Sequence, residues 1–118
     1  MWLIVDDERT CGCDVIARTP DGARTILGGV GYAFEGLCLD HDLGFAETGY
    51  DILLWAFESD TLPPKVQLVT MNPCGMKRMA DALEDFGYVL ADGVYIHAGK
   101  LETWKRREAM LAELKEKS

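Results

Sequence analysis

Short apolar runs that end in polar residues constrain the fold of this chain more than any other feature. Three such runs are Trp2–Val5, Gly36–Asp40 and Val66–Thr70, and the first is followed directly by Asp6 and Asp7. Nearly continuous apolar runs of this length are typical of strands that are buried on both faces, as in a parallel sheet. We therefore expect all three to be central parallel strands.

A further short strand is predicted over Val15–Thr19. The loop before it, from Glu8 to Cys13, has only six residues, whereas a parallel crossover needs about a dozen or more. This strand is therefore either antiparallel to the first strand or placed at an edge of the sheet by an irregular path.

Helical segments alternate with these strands. Thr19–Asp21 supplies a capping hydroxyl, a proline for the first turn and an acid near the positive end of the helix, and this helix is predicted to stop at Gly28–Gly29. A second helix opens at Gly49 or Tyr50, and a third covers Met76–Phe86. The alternation predicts an α/β domain in which helices flank a mostly parallel sheet.

The last part of the chain predicts a hairpin followed by a helix. Tyr88–Ala91 and Val94–His97 are β-type runs on either side of Asp92-Gly93, a dipeptide that favours a two-residue hairpin turn. Leu101–Lys117 is predicted to be helical. We expect residues 1–118 to form a single domain. The helix carries an apolar stripe with Trp104, Met110, Leu111 and Leu114. We expect this stripe to pack on the domain's own sheet; the alternative is that it pairs with a second copy of the chain.

Charge and composition exclude several classes of protein. The formal net charge is -8, which argues against a general binder of duplex nucleic acid or of membrane surfaces. No apolar run reaches the roughly 20 residues of a membrane span, and no signal peptide is recognisable at Met1. We therefore expect a cytoplasmic protein, in which its four cysteines are free thiols. The one-residue spacing of Cys11 and Cys13 predicts a plain loop, and Cys38 is expected in the core.

Acidic residues follow two of the predicted strands. Because ligands of open α/β sheets lie beyond the carboxyl ends of the strands, we expect Asp6, Asp7 and Asp40 to share one acidic pocket, with Asp42 as a further member beside these three. Carboxylates gathered in this way repel one another unless a cation is present. Oxygen-only ligands suit Mg²⁺ or Mn²⁺, so these three residues are predicted metal ligands.

Four more polar residues stand near the same strand ends. His41 or Asp42 is a candidate general acid or base, although His41 could equally be a loop imidazole that pairs with a neighbouring carboxylate. Thr70 and Asn72 are candidates for hydrogen bonds to a phosphate, and Asn72 could equally initiate the third helix. The other histidine, His97, is interpreted as structural.

These residues carry a resemblance to a known family. The acids after the first and third strands, with Thr70 after the fourth, resemble the receiver domain of response regulators. The strings Leu39–Gly44 and Thr48–Asp51, together with the Asn72–Gly75 turn and Met79, resemble the cyclic-phosphate-processing receiver domains over roughly Trp2 to Gly87. The resemblance implies a receiver-like fold and metal-dependent processing of a cyclic or terminal phosphate on a nucleotide or RNA end. As a stand-alone domain of this size, the chain resembles proteins found in bacteria and their phages.

Departures from the family pattern keep other functions open. Val69-Thr70 replaces a His-Ser pair, and the Lys-Pro of ordinary receivers is missing, with Lys100 as the nearest substitute. The first hypothesis is a Mg²⁺-dependent phosphohydrolase-like domain whose partner is a phosphate-containing small molecule or RNA end. The alternatives are a receiver-like binding or phospho-acceptor module without hydrolytic activity, and a phage-type protein that sequesters a nucleotide.

Overall fold

The computed structural model describes residues 1–118, which contain one six-stranded sheet in the order β2-β1-β3-β4-β6-β5. The strands are β1 (Trp2–Val5), β2 (Val15–Ala17), β3 (Gly36–Leu39), β4 (Lys65–Leu68), β5 (Val89–Ala91) and β6 (Val94–Ile96). Strands β1 to β4 are mutually parallel, whereas β6 is antiparallel to both β4 and β5. The predicted α/β architecture with a C-terminal hairpin is confirmed.

The three apolar runs are central strands, as predicted, because β1, β3 and β4 each have a neighbour on both sides. Of the two alternatives for β2, the structure has the edge position. β2 runs parallel to β1, and the loop between them contains no helix. The backbone N–H of Asp14 donates to the carbonyl of Trp2 and brings the chain back alongside β1.

The helices are α1 (Pro20–Val30), α2 (Gly49–Glu58), α3 (Pro73–Asp85) and α4 (Ala98–Lys117), with a 3₁₀ turn at Gly31–Ala33. α1 continues through the two glycines at which it was predicted to stop. α3 and α4 begin three residues earlier than predicted, because Asn72 and His97 act as their N-caps and accept hydrogen bonds from the backbone N–H groups of Gly75 and Lys100.

The main core lies on one face of the sheet. Alternate residues of the central strands, such as Leu3, Leu37 and Val66, pack in one cluster with buried side chains of α1, α2 and α3. On the opposite face Ile4 and Cys38 are also buried. The Trp2 ring closes over Gly36 there, where an added Cβ would lie 2.4 Å from ring atoms.

The four cysteines are free thiols, as predicted. Cys11 and Gly12 form a turn with positive φ angles of 48° and 69°, so the closely spaced pair is a loop. The Sγ atoms of Cys13 and Cys38 lie 3.7 Å apart. Burial raises the pKa of the Cys38 thiol to about 12 and also raises the pKa of Cys13, so both are protonated and weakly nucleophilic at neutral pH.

The prediction that the last helix covers the sheet is wrong. No residue of α4 is buried, and Met110, Leu111 and Leu114 are 63%, 44% and 60% exposed. β6 is antiparallel to β4, so the chain leaves β6 at the end of the sheet where the parallel strands begin. α4 starts beyond that end. The molecule is consequently elongated, at 48 × 26 × 25 Å. None of its helices combines the length and apolar character needed to cross a membrane.

Candidate functional site

The structure brings Asp6, Asp7 and Asp40 together at the carboxyl ends of β1 and β3; we call them the acidic cluster. One carboxylate oxygen from each lies within 4.8 Å of the other two. Val5 is paired with Leu39 in the parallel ladder, so the residues that follow these two leave the sheet side by side. Asp6 is fully buried and Asp40 is 7% exposed, whereas Asp7 is open to solvent.

Asp6 is held as a carboxylate although it is buried. Its Oδ1 accepts hydrogen bonds from the backbone N–H groups of Glu8 (2.9 Å) and Arg9 (3.0 Å), and its Oδ2 accepts one from Arg9 Nη1 (3.1 Å). Burial alone would raise the pKa of Asp6, but the two backbone donors and the guanidinium together lower it below its ordinary value.

Arg9, which the sequence pattern did not single out, also lies at this site. Its Nη1 lies 3.7 Å from Asp40 Oδ2 and also donates to the carbonyl of Val69, so one guanidinium joins the ends of β1, β3 and β4. Arg18 donates to the carbonyls of Asp6 (3.2 Å) and Arg9 (2.7 Å) and steadies this loop. Arg9 comes two residues after Asp7 on an irregular loop, and this spacing alone does not indicate the contact.

The chemistry of the acidic cluster fits a divalent cation. All three donors are carboxylate oxygens, the ligand type that Mg²⁺ prefers. Two such ligands on opposite sides of Mg²⁺ lie about 4.2 Å apart at its usual bond length, so oxygens that lie within 4.8 Å of one another would have to draw in slightly to bind one ion. Arg9 forms ion pairs with two of these carboxylates, at 3.1 Å from Asp6 and 3.7 Å from Asp40, so it would have to yield to an ion.

A histidine–aspartate pair stands beside the acidic cluster. His41 Nδ1 lies 2.9 Å from Asp42 Oδ1, and Asn72 Nδ2 lies 3.3 Å from Asp42 Oδ2. The hydrogen bond from His41, followed by that from Asn72, lowers the pKa of Asp42. This contact engages Nδ1 and leaves Nε2 as the ring nitrogen without a protein partner, which is the arrangement that a proton-transferring imidazole needs.

Two glycines make room for this pair. A Cβ at Gly75 would lie 2.3 Å from His41 Cγ, and one at Gly49 would lie 1.8 Å from the carbonyl oxygen of Asp40. The backbone N–H of Gly49 donates to the carbonyl of His41 at 2.8 Å and closes the loop between β3 and α2. The imidazole therefore lies directly against the first turn of α3.

Thr70 and Asn72 both take part in local turns. Thr70 is 8% exposed, and its Oγ1 accepts from the backbone N–H of Asn72 at 3.1 Å. Asn72 Oδ1 accepts from the backbone N–H of Gly75 at 3.0 Å, which confirms the helix-initiating interpretation. Their roles as phosphate ligands remain predictions.

Lys100 does not replace the lysine of ordinary receivers. It lies in the first turn of α4, at the opposite end of the sheet, where its Nζ contacts Asp60 Oδ1 at 3.4 Å and the Leu62 carbonyl at 3.3 Å. The structural interpretation of His97 agrees with its geometry, since it caps α4 and its ring makes an edge contact with Tyr88.

A mostly parallel sheet with acidic residues at the ends of adjacent strands defines a receiver-like α/β domain. The model of the cyclic-phosphate processing receiver domain family matches residues 1–85, and the chain belongs to this family. The matched region includes β1 to β4, α1 to α3 and every residue of the site described above. No curated protein and no solved structure matches the chain.

Proposed function

We propose that this receiver domain is a phosphohydrolase-like enzyme that processes a cyclic or terminal phosphate on a nucleotide or an RNA end, with Mg²⁺ or Mn²⁺ bound by Asp6, Asp7 and Asp40. The observation that carries the proposal is the convergence of these three carboxylates, within 4.8 Å, in a domain of the cyclic-phosphate processing family. A bound Mg²⁺ would supply charge neutralisation and polarisation of a phosphoryl oxygen.

The chain's own residues account for the remaining requirements. His41 is fixed by Asp42 through Nδ1, so its Nε2 is available to accept a proton from an attacking hydroxyl or donate one to a leaving oxygen. Asn72 holds Asp42 from the other side, which keeps the pair in place.

The first turn of α3 supports the binding of a phosphate near this pair. Helix N-termini favour anions, because their backbone N–H groups lack acceptors within the helix and the helix dipole is positive there. His41 contacts this turn at Gly75. A phosphate between the acidic cluster and α3 would thus lie beside the imidazole, and Thr70 stands at the end of β4 on the same side of the sheet.

A binding function without hydrolysis is the second candidate, and Arg9 is the observation that favours it. Its guanidinium pairs with Asp6 and Asp40, so part of the negative charge of the cluster is offset without a metal ion. Such a domain would hold or sequester a nucleotide, or dock on a partner. Among these binding functions, a phospho-acceptor role through phosphorylation of Asp40 is less favoured, since the Asp40 side chain is only 11% exposed and no lysine lies at the site.

The test is incubation with a panel of 2′,3′-cyclic and 3′,5′-cyclic nucleotides and of RNAs with 2′,3′-cyclic or terminal phosphates, with Mg²⁺, with Mn²⁺ and with chelator. We expect turnover of at least one substrate that needs the metal and falls by a factor of about 100 or more in Asp40→Asn and His41→Asn. Asp85→Asn is the matched control, because Asp85 is an exposed carboxylate outside the site.

The outcomes separate the two candidates. Binding without turnover of any substrate, with or without metal, would support the sequestering function and rule out the enzyme for these substrates. Turnover that survives both chelator and Asp40→Asn would contradict the assignment of the acidic cluster.

A further inference from the structure

A second concave site lies at the end of the sheet opposite to the acidic cluster. Phe34, Pro63 and Pro64 precede the parallel strands β3 and β4, and His97 follows the antiparallel β6, so all four meet at this end. Together with the C-terminal end of α1 and the start of α4 they enclose about 500 Å³, which we call the α4 cleft. Sites for small molecules typically measure about 300–1,000 Å³.

The α4 cleft is cationic in an otherwise acidic protein. Lys100 and Arg107 line it, and the one carboxylate in its lining, Asp60, is paired with Lys100 and is 94% exposed. α4 itself has six Lys and Arg residues against four Glu residues, which is a net charge of +2. Since the whole chain has a net charge of -8, the residues outside α4 have a net charge of -10. An anion that the remainder of the surface repels is therefore attracted to this cleft.

Several hydrogen-bond donors in the α4 cleft have no acceptor. Trp104 Nε1 is buried and unpartnered, which costs about 1–3 kcal/mol. Arg107 uses Nη1 for the carbonyl of Tyr32 and makes no other hydrogen bond, so Nε and Nη2 are free. The backbone N–H of Gly99, in the first turn of α4, also has no acceptor within the helix.

Aromatic groups stand next to these donors. The Trp104 indole lines the α4 cleft, and the Tyr32 ring lies 5.3 Å from the guanidinium carbon of Arg107. Aromatic faces and a guanidinium plane are the surfaces on which a nucleobase stacks. An anionic group and a planar ring can thus be bound within one cleft.

We propose that the α4 cleft binds a mononucleotide, with its phosphate against Arg107, Lys100 and the first turn of α4 and its base against Trp104 and Tyr32. This site is separate from the acidic cluster and needs no metal ion.

The experiment uses the full chain labelled with ¹⁵N and no divalent cation, so that the acidic cluster cannot contribute a metal site. The three tryptophans give three indole N–H resonances, and Trp104→Phe assigns one of them. Titration with adenosine 5′-monophosphate should shift the Trp104 resonance and leave those of Trp2 and Trp55 in place. Arg107→Gln should weaken binding about tenfold or more, the loss expected for one charge-assisted contact.

Lys105→Gln is the control, since Lys105 lies on the same helix, is exposed and does not line the α4 cleft. A melting curve of Arg107→Gln distinguishes lost binding from lost folding, and Lys100→Gln provides a second variant. The proposal is overturned if the Trp104 resonance does not move, if all three indoles move together, or if Arg107→Gln and Lys105→Gln bind equally well. Equal affinity for inorganic phosphate or for adenosine would overturn the assignment to a nucleotide.

Discussion

A methyl group at Gly75 should damage the site more than its size suggests. In Gly75→Ala the new Cβ would lie 2.3 Å from His41 Cγ, 2.5 Å from Cδ2 and 2.7 Å from Nδ1, whereas heavy atoms in contact lie about 3.5–4.0 Å apart. Either the first turn of α3 or the imidazole has to move by about 1 Å. Because His41 is bonded to Asp42, movement of the ring breaks the pair.

The expected change in the free energy of unfolding of Gly75→Ala follows from two opposing contributions. Alanine in place of helical glycine gains about 0.5–1 kcal/mol, and overpacking costs about 1–3 kcal/mol, so Gly75→Ala should lose about 1 kcal/mol. Gly28→Ala in α1 is the matched control, because its Cβ would make an ordinary 3.7 Å contact with Trp55; it should gain about 0.5–1 kcal/mol. The two variants should differ by about 2 kcal/mol, or about 8 °C in Tm for a domain of this size.

Circular dichroism melts of both variants and of the wild type measure this difference. The ¹H–¹³C resonances of the His41 ring should shift in Gly75→Ala and stay in place in Gly28→Ala. A Tm of Gly75→Ala at or above that of Gly28→Ala, with unchanged His41 resonances, would contradict this expectation, since the methyl group would then have found room without displacing the imidazole.

Three further outcomes are expected. Mg²⁺ or Mn²⁺ should raise the Tm of the wild type and of Asp85→Asn but not that of Asp40→Asn, since a ligand of the folded state stabilises it; equal shifts in all three would exclude the metal site. Burial raises the pKa of Tyr88 above its ordinary 10.0, so above pH 10 the folded state keeps a proton that the unfolded state loses. The contribution of Tyr88 to stability is therefore present below pH 10 and declines above it. Tyr88→Phe should flatten that decline in denaturant titrations at pH 9 to 11. Deletion of residues 110–118 should leave the Tm within about 2 °C of the wild type, because the deleted side chains are exposed. Light scattering of the same two proteins tests the alternative that the apolar stripe of α4 pairs two copies. In that case the full chain has about twice the mass of the truncated one.

The acidic cluster was predictable because two simple patterns agreed. Apolar runs placed β1 and β3 inside a parallel sheet, and parallel strands end at the same edge, so Asp6 and Asp40 had to approach each other. Asn72 as a helix cap was also readable, since the proline that follows it suits the first turn of a helix.

Other features depend on contacts that leave no periodic trace in the sequence. Arg9 lies on an irregular loop, and nothing in its spacing indicates that it reaches Asp40 and the end of β4. The apolar stripe of α4 indicated a helix that needs a partner but not the direction in which it leaves the sheet. That direction follows from the pairing of β6 with β4, which a hairpin signal does not specify.

The course of α4 makes the C-terminal end of the chain a natural attachment point. A helix of 20 residues spans about 30 Å, and α4 begins at the edge of the sheet farthest from Asp6 and Asp40. A surface tether, a fluorophore or a fused domain placed after Ser118 would be held away from the acidic cluster by a semi-rigid spacer. Immobilised in this way, the protein would present its acidic cluster to solution, which suits binding assays on a sensor surface with large RNA ligands.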